Sequence, residues 1–270
     1  MVLEAIINPL KAERNPWQTF IWGFIYSTVA IFVSLFLFKD YSSMVMVSLT
    51  AMVSVPLIYG AIKLEEKKDI AINSEVALFK EHGKVLAFFI FMFFGYVISF
   101  SFWYAVLPTS TTLNLFDAQI NTLNAINTPA TGNLVSVGST LAKIFFNNIR
   151  VLVFCLLFAF FYGFGSIFIL TWNASVLATL IGTIIKESSG SYLIAPMVLL
   201  KYSIHGIPEI AAYFLAGLAG GIVSIAVIRH DFGSKQFRHV LTDSIDLTVV
   251  SVLLLVVAAL LEVFVSPLVF

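Results

Sequence analysis

Runs of about 20 residues without a charged side chain recur along this chain, and no other feature limits its fold as strongly. A bilayer hydrocarbon core of about 30 Å needs about 20 apolar residues of helix to cross it. Inside lipid, each backbone N–H and C=O must find its partner within the protein, which favours helices. Such runs predict spans at Trp17–Phe38, Tyr41–Ile62, Val85–Leu107, Ile149–Thr171, Ile207–Ile228 and Leu247–Val265. Asn15 suits the N-cap of the first span and Pro16 its first helical position, while Pro108 closes the third. The chain is 60% hydrophobic and 11% charged, against roughly 25% charged in a soluble domain. That composition excludes a soluble enzyme and a disordered chain. Lys+Arg 15 against Asp+Glu 15 leaves no basic excess for a nucleic acid. Cys155 is the one cysteine, so neither an intrachain disulfide nor a thiolate zinc cluster can form.

The stretch between the fourth and sixth runs is irregular. Ala174–Ile185 spans only about 18 Å as helix, too short to cross alone. Lys186–Ser191 is polar, and Tyr192–Ile204 is a second short apolar piece broken by Pro196. The expected fold is therefore all-α: a polytopic transmembrane helical bundle of about seven spans with one discontinuous or re-entrant segment.

Orientation follows from Lys and Arg. Lys11 and Arg14 precede the first span, Lys63, Lys67, Lys68, Lys80 and Lys84 follow the second, and Arg229, Lys235 and Arg238 follow the sixth. These segments agree on a cytoplasmic side. The N-terminus is expected inside and the C-terminus outside, in a cell membrane. Four parts are expected. An interfacial N-terminal segment covers 1–16 and reads as an amphipathic helix rather than a signal peptide. A three-span part covers 17–107 and carries a cytoplasmic amphipathic segment at 63–84. An extracellular Thr/Asn/Ser-rich loop covers 108–142, and a membrane core covers 143–270.

Ionisable groups inside spans cost about 2.5–3.5 kcal/mol on insertion scales, so they are candidate functional groups. His205 and Glu209 stand four apart in His205-Gly206-Ile207-Pro208-Glu209, on one face of a regular helix. Pro208 suits the first turn of a helix starting there, and the helix dipole favours Glu209 near that start. The pair fits a structural contact or a proton or ion site. Two ligands are one short of a metal site, and no HExxH is present, so no metal and no cofactor is expected. Asn147, Asn148 and Arg150 stand at the mouth of the fourth span, where the amides can bond across helices and Arg150 can pair with Glu209 or snorkel. Asn173 suits the N-cap of the short segment after it. Asp243 and Asp246 read as capping acids of the last span, with Glu262 near its outer end. Gly163, Gly165, Gly217 and Gly221 read as helix-packing positions. No Gly-x-Ser-x-Gly elbow, Walker motif or kinase signature occurs, so no catalytic residue is assigned.

Asn147-Asn148 opening a span, Gly163 and Gly165 within it, Asn173 at its end, and His205-Gly206 with Glu209 heading a Gly-rich span form a recognisable set. The chain resembles the stage II sporulation protein M family. Asn8-Pro9-Leu10-Lys11-Ala12-Glu13-Arg14, Leu64-Glu65-Glu66-Lys67-Lys68-Asp69 and Lys80-Glu81-His82 are similar to its archaeal branch. The resemblance implies an integral membrane protein without an established catalytic activity, whose namesake is a scaffold for a cell-wall-remodelling complex. It points to Asn147, Asn148, Asn173, His205 and Glu209 as the shared polar set and to 143–270 as the family-like core.

Two functional classes lead. One is a non-catalytic membrane scaffold or assembly factor, whose partners are the lipid bilayer, other membrane or envelope proteins and a second copy of the chain. The other is a channel or transporter built on the polar groups around His205 and Glu209; it requires a cavity that touches Glu209. An intramembrane enzyme on the same pair lacks a nucleophile or third ligand, and no nucleic acid is expected as partner.

Overall fold

Helix lengths show how far each span reaches beyond lipid. The computed structural model describes residues 15–72, 75–127, 137–162, 166–187, 194–229 and 233–269. Of the expected N-terminal interfacial segment, only Asn15 and Pro16 fall among them. Seven of the described helices are long and apolar enough to cross a membrane, and no strand occurs among the described residues.

α1 (Pro16–Leu37) starts at Pro16, whose missing N–H costs nothing there. Asn15 holds the N-cap position without a side-chain capping bond. α2 (Ser42–Ala71) and α3 (Glu75–Val106) have 30 and 32 residues. At 1.5 Å per residue each runs to about 45 Å or more, well past a 30 Å core. Within the segment at 63–84, residues 63–71 continue α2 and 75–84 belong to α3. The segment is where α2 and α3 run on beyond the apolar spans, with Glu65, Glu66, Asp69 and His82 turned inward. The reason is continuity: a regular helix that leaves lipid packed against a neighbour has no cause to bend. Lys63, Lys67, Lys68, Lys80, Lys84, Arg229, Lys235 and Arg238 gather at this end, called here the basic end.

At the opposite end the polar loop is helical at its start. α4 (Thr109–Leu115) and α5 (Asp117–Asn127) fold back onto the bundle. Gln119 is buried, accepts from Ser43 on α2 at 2.8 Å and donates to Ser175 at 3.1 Å. Residues 128–136 lie outside the described set.

α6 (Val137–Tyr162) and α7 (Ser166–Glu187) correct the expected boundaries. The run Ile149–Thr171 is not one span. A helix ends at Tyr162 and another begins at Ser166, so α7 has 22 residues and crosses by itself. The discontinuous fifth span is thus replaced by a continuous one. Hydropathy stays high through the break, which is why composition hid it. Gly163 and Gly165 fall between the two helices, outside the described residues. Asn173 is not an N-cap: it lies inside α7, where Nδ2 donates to the Ile169 carbonyl at 2.8 Å. Lys186, at the other end of α7, donates to the Leu107 carbonyl at 2.8 Å and to Thr112 Oγ1 at 3.0 Å, capping α3. Lys186→Met should leave these carbonyls short of a donor and cost about 1–3 kcal/mol, read as a lower unfolding temperature in detergent.

α8 (Ile194–Ile228) has 35 residues and joins Tyr192–Ile204, bar its first two residues, to the sixth span. Pro196 sits in its first turn, where proline is tolerated. Pro208 sits inside the helix, not at a helix start as expected. α9 (Lys235–Leu260) is capped by Ser234, whose hydroxyl accepts from the Phe237 N–H at 2.9 Å. It continues through a wide turn at Leu261–Val265 and a tight one at Ser266–Val269. Asp243 therefore does not cap the last helix; it lies two turns inside it, buried.

α8 is the centre of the bundle. Its apolar window is 83% buried, against 22% for α6 and for α9, which leaves those two at the lipid-facing periphery. Gly217 and Gly220 make this packing close. A Cβ on Gly217 would meet Ser166 Oγ, and one on Gly220 would meet the Leu156 carbonyl. Gly221 is buried on the same helix. α3 packs on α8 through Phe89 and Phe214, whose rings stack at 5.0 Å.

Candidate functional site

Two polar centres form, one within the spans and one at the basic end. The first lies between α7 and α8. A cavity of about 260 Å³ is lined by Asn173 from α7 and by Tyr202, His205, Glu209 and Tyr213 from α8. Phe93 of α3 and Leu123 of α5 close its sides. His205, Glu209 and Tyr213 face it together because they are spaced four apart on a helix.

Tyr213 donates its hydroxyl to Glu209 Oε1 at 2.7 Å. His205 Nδ1 shares a hydrogen bond of 2.9 Å with Ser266 Oγ, which ties α8 to the end of the chain. Glu262 stands in the wide turn after α9 and is not among the residues that line the cavity. The wall of the cavity thus holds a carboxylate, an imidazole, an amide and two phenols among apolar side chains. Such a set can hold a proton or a small cation and orient a few waters.

The sequence-predicted residues divide. Asn173, His205 and Glu209 line one cavity. Asn147, Asn148 and Arg150 on α6 do not line it. Asn148 is buried, Asn147 and Arg150 are exposed, and Asn147 Nδ2 reaches Asn148 Oδ1 at 3.5 Å. Among the described residues no ion pair joins Arg150 to Glu209. Tyr213 is the partner that sequence reading missed, although its i,i+4 spacing from Glu209 was a usable signal.

The second centre was not anticipated. Beyond the apolar spans, Glu65 and Asp69 on α2, His82 on α3 and Asp243 on α9 converge. His82 Nδ1 lies 3.0 Å from Glu65 Oε2. Its Nε2 lies 3.0 Å from Asp243 Oδ2 and 3.7 Å from Asp69 Oδ1. Glu65 and Asp69 are fully buried and His82 and Asp243 nearly so. Burial alone would push His82 toward its neutral form. The hydrogen bonds to Asp243 and Glu65, with the charges of Asp243 and Asp69, outweigh it and raise the imidazole's pKa. Asp69 is raised for the opposite reason, by burial first and then by the charge of Asp243.

Lys68 bridges Glu65 at 2.6 Å and Glu81 at 3.1 Å. Beside the cluster, Arg229, just past the end of α8, pairs with buried Glu66. The network joins α2 and α3 to the end of α8 and to the body of α9. The pair Glu65 and Asp69, four apart on one face, was its only local sign in sequence.

Residues 85–267 match the profile of the family described as Stage II sporulation protein M. The match takes in the whole intramembrane cavity and Asp243, and leaves out Glu65, Asp69 and His82. An uncharacterized protein of Methanocaldococcus jannaschii is 27% identical over 172 residues, which cover 60% of this chain and 94% of that protein. No solved structure matches the chain. With well over half of its residues inside that one profile, including everything that lines the cavity, the chain belongs to the stage II sporulation protein M family.

Proposed function

We propose that this family member is a non-catalytic, multi-pass membrane protein that binds a proton or small cation at Glu209 and works as a channel or transporter. The observation that carries this reading is the cavity itself. It lies among the spans, it touches Glu209, and His205, Asn173 and Tyr213 face the same space. A carboxylate at that depth is costly to keep, and Tyr213 satisfies one of its two oxygens by hydrogen bond. Transporters place their sites at this level, where backbone and side-chain dipoles from several helices can face one ion. The N-terminus lies in the cytoplasm on this reading and the C-terminus outside, as the clustering of Lys and Arg at the basic end favours.

The test is proton flux in proteoliposomes that enclose a pH-sensitive dye, driven by an imposed potassium diffusion potential. Wild-type protein should acidify or alkalinise the lumen well above empty vesicles. Glu209→Gln should lower that flux at least about tenfold, since the amide holds no exchangeable charge. Wild-type flux no greater than that of empty vesicles, or a Glu209→Gln rate equal to wild type, would reject the reading.

The second reading is the scaffold role that the family resemblance implies. The ion-paired extension of α2 and α3 beyond the spans supports it, since this makes a stiff platform for a membrane or envelope protein, or for a second copy. It predicts stoichiometric copurification of such a partner from native membranes, unaffected by Glu209→Gln.

A further inference from the structure

The cluster at the basic end carries an inference independent of the intramembrane cavity. Three carboxylates, Glu65, Asp69 and Asp243, surround one imidazole, and all four side chains are buried. Among the described residues, the cations that pair with them are fewer than the carboxylates. His82 is one, and Lys68 is shared between Glu65 and Glu81. Asp69 is fully buried, and neither of its carboxylate oxygens has a hydrogen-bond partner. A buried carboxylate with neither oxygen hydrogen-bonded is unusual, because the 3.7 Å ion pair from His82 to Oδ1 returns only part of the desolvation cost. Those oxygens are turned toward His82 and Asp243. One ligand atom each from Asp69, His82 and Asp243 fall within 4.8 Å of one another.

We infer that Asp69, His82 and Asp243 form a binding site for a divalent transition-metal ion that ties α2, α3 and α9 together. Ligands about 2.0–2.2 Å from such an ion stand roughly 3.3–3.6 Å apart in tetrahedral geometry. The 3.0 Å and 3.7 Å separations at His82 Nε2 bracket that range. All three ligand atoms lie within 4.8 Å of one another, so closing on an ion takes rotation of the carboxylate side chains.

The donor set selects the ion class. One imidazole with two carboxylates and no thiolate suits zinc, manganese or ferrous ions, while magnesium and calcium prefer oxygen alone. Glu65 occupies the position beside a ligand. It accepts from His82 Nδ1 and so aims Nε2 at the ion, as carboxylates do behind metal-bound histidines. Lys68 in turn holds Glu65. Three of these four groups lie before residue 85, outside the family match, so the site is a property of this chain and of relatives that share its second and third helices.

The experiment uses the full chain in detergent, stripped with a chelator and dialysed, then titrated with zinc by calorimetry. One saturable equivalent is expected, with manganese weaker and magnesium and calcium without effect. Zinc should also raise the unfolding temperature. Asp69→Asn should lower zinc affinity at least about 100-fold and abolish the thermal shift, whereas Asp117→Asn, on the far end of the bundle, should keep both. X-ray absorption on zinc-loaded wild-type protein covers the case in which Asp69→Asn fails to fold. It should show a single imidazole nitrogen with oxygen donors and no sulfur. The absence of saturable zinc uptake, unchanged affinity in a folded Asp69→Asn, or a zinc shell with several imidazoles would each overturn the proposal and leave the cluster an ion-pair lock.

Discussion

His82→Ala should be the most destabilising single substitution at the basic end, costing on the order of 3–5 kcal/mol. The imidazole stands between Glu65 and Asp243 at 3.0 Å on each side, with Asp69 close behind. Removing it leaves three buried carboxylates facing one another across a space that Lys68 reaches from one side only. The expected result is a sharp loss of monodisperse protein on size-exclusion chromatography and a lower unfolding temperature. The cause is charge rather than lost volume, so a second change should repair much of it. His82→Ala with Asp69→Asn removes one of the stranded charges and should recover a large share of the folded fraction. If the single variant elutes and unfolds like wild type, the cluster does not hold the three helices together.

Gly95→Val should have a comparable effect at the other side of the bundle. α1 and α3 cross with backbones in contact. A Cβ on Gly95 would land on the Phe20 carbonyl, with Gly23 Cα at 3.1 Å and Phe24 N at 3.0 Å. These are backbone atoms and cannot rotate away. The same close approach lets Thr19 Oγ1 donate to the Phe88 carbonyl at 2.9 Å and Thr28 meet Ser99 at 3.0 Å. Opening the crossing therefore loses packing and hydrogen bonds together, about 3 kcal/mol or somewhat more. Unfolding in detergent, followed by the fluorescence of Trp22 near this seam, measures it. Gly83 is the control: a Cβ there meets nothing within 4 Å. Gly83→Ala should be neutral or stabilising by up to about 1 kcal/mol, since alanine favours helix. Equal effects at the two glycines would show that helix propensity, not contact, governs both.

Boundaries were legible where polarity changes and illegible where it does not. α1 starts at the expected proline and α3 ends just before the expected one. The break between α6 and α7 falls inside an uncharged run, so Asn173 was assigned to a cap when it is a mid-helix residue facing a cavity. Asp243 was misread for a related reason. Its charge suggested the edge of a span, but α9 begins two turns earlier at Lys235, and burial there depends on a histidine 161 residues away. The His205–Glu209 relation was readable because four residues of helix bring both onto one face. The place of Arg150 was not, because it depends on how α6 is rotated against α8.

From the sequence alone came the membrane class, the all-helical bundle, the number of spans and the family. Lipid acts on each segment separately, so a run of apolar residues states its own fate without reference to the rest of the chain. The tertiary structure alone decided which polar side chains meet. Buried charge is tolerated only beside a partner, and the partners of His82 and Gln119 come from helices far apart in the chain, brought together around α8 by crossings that hydropathy does not encode.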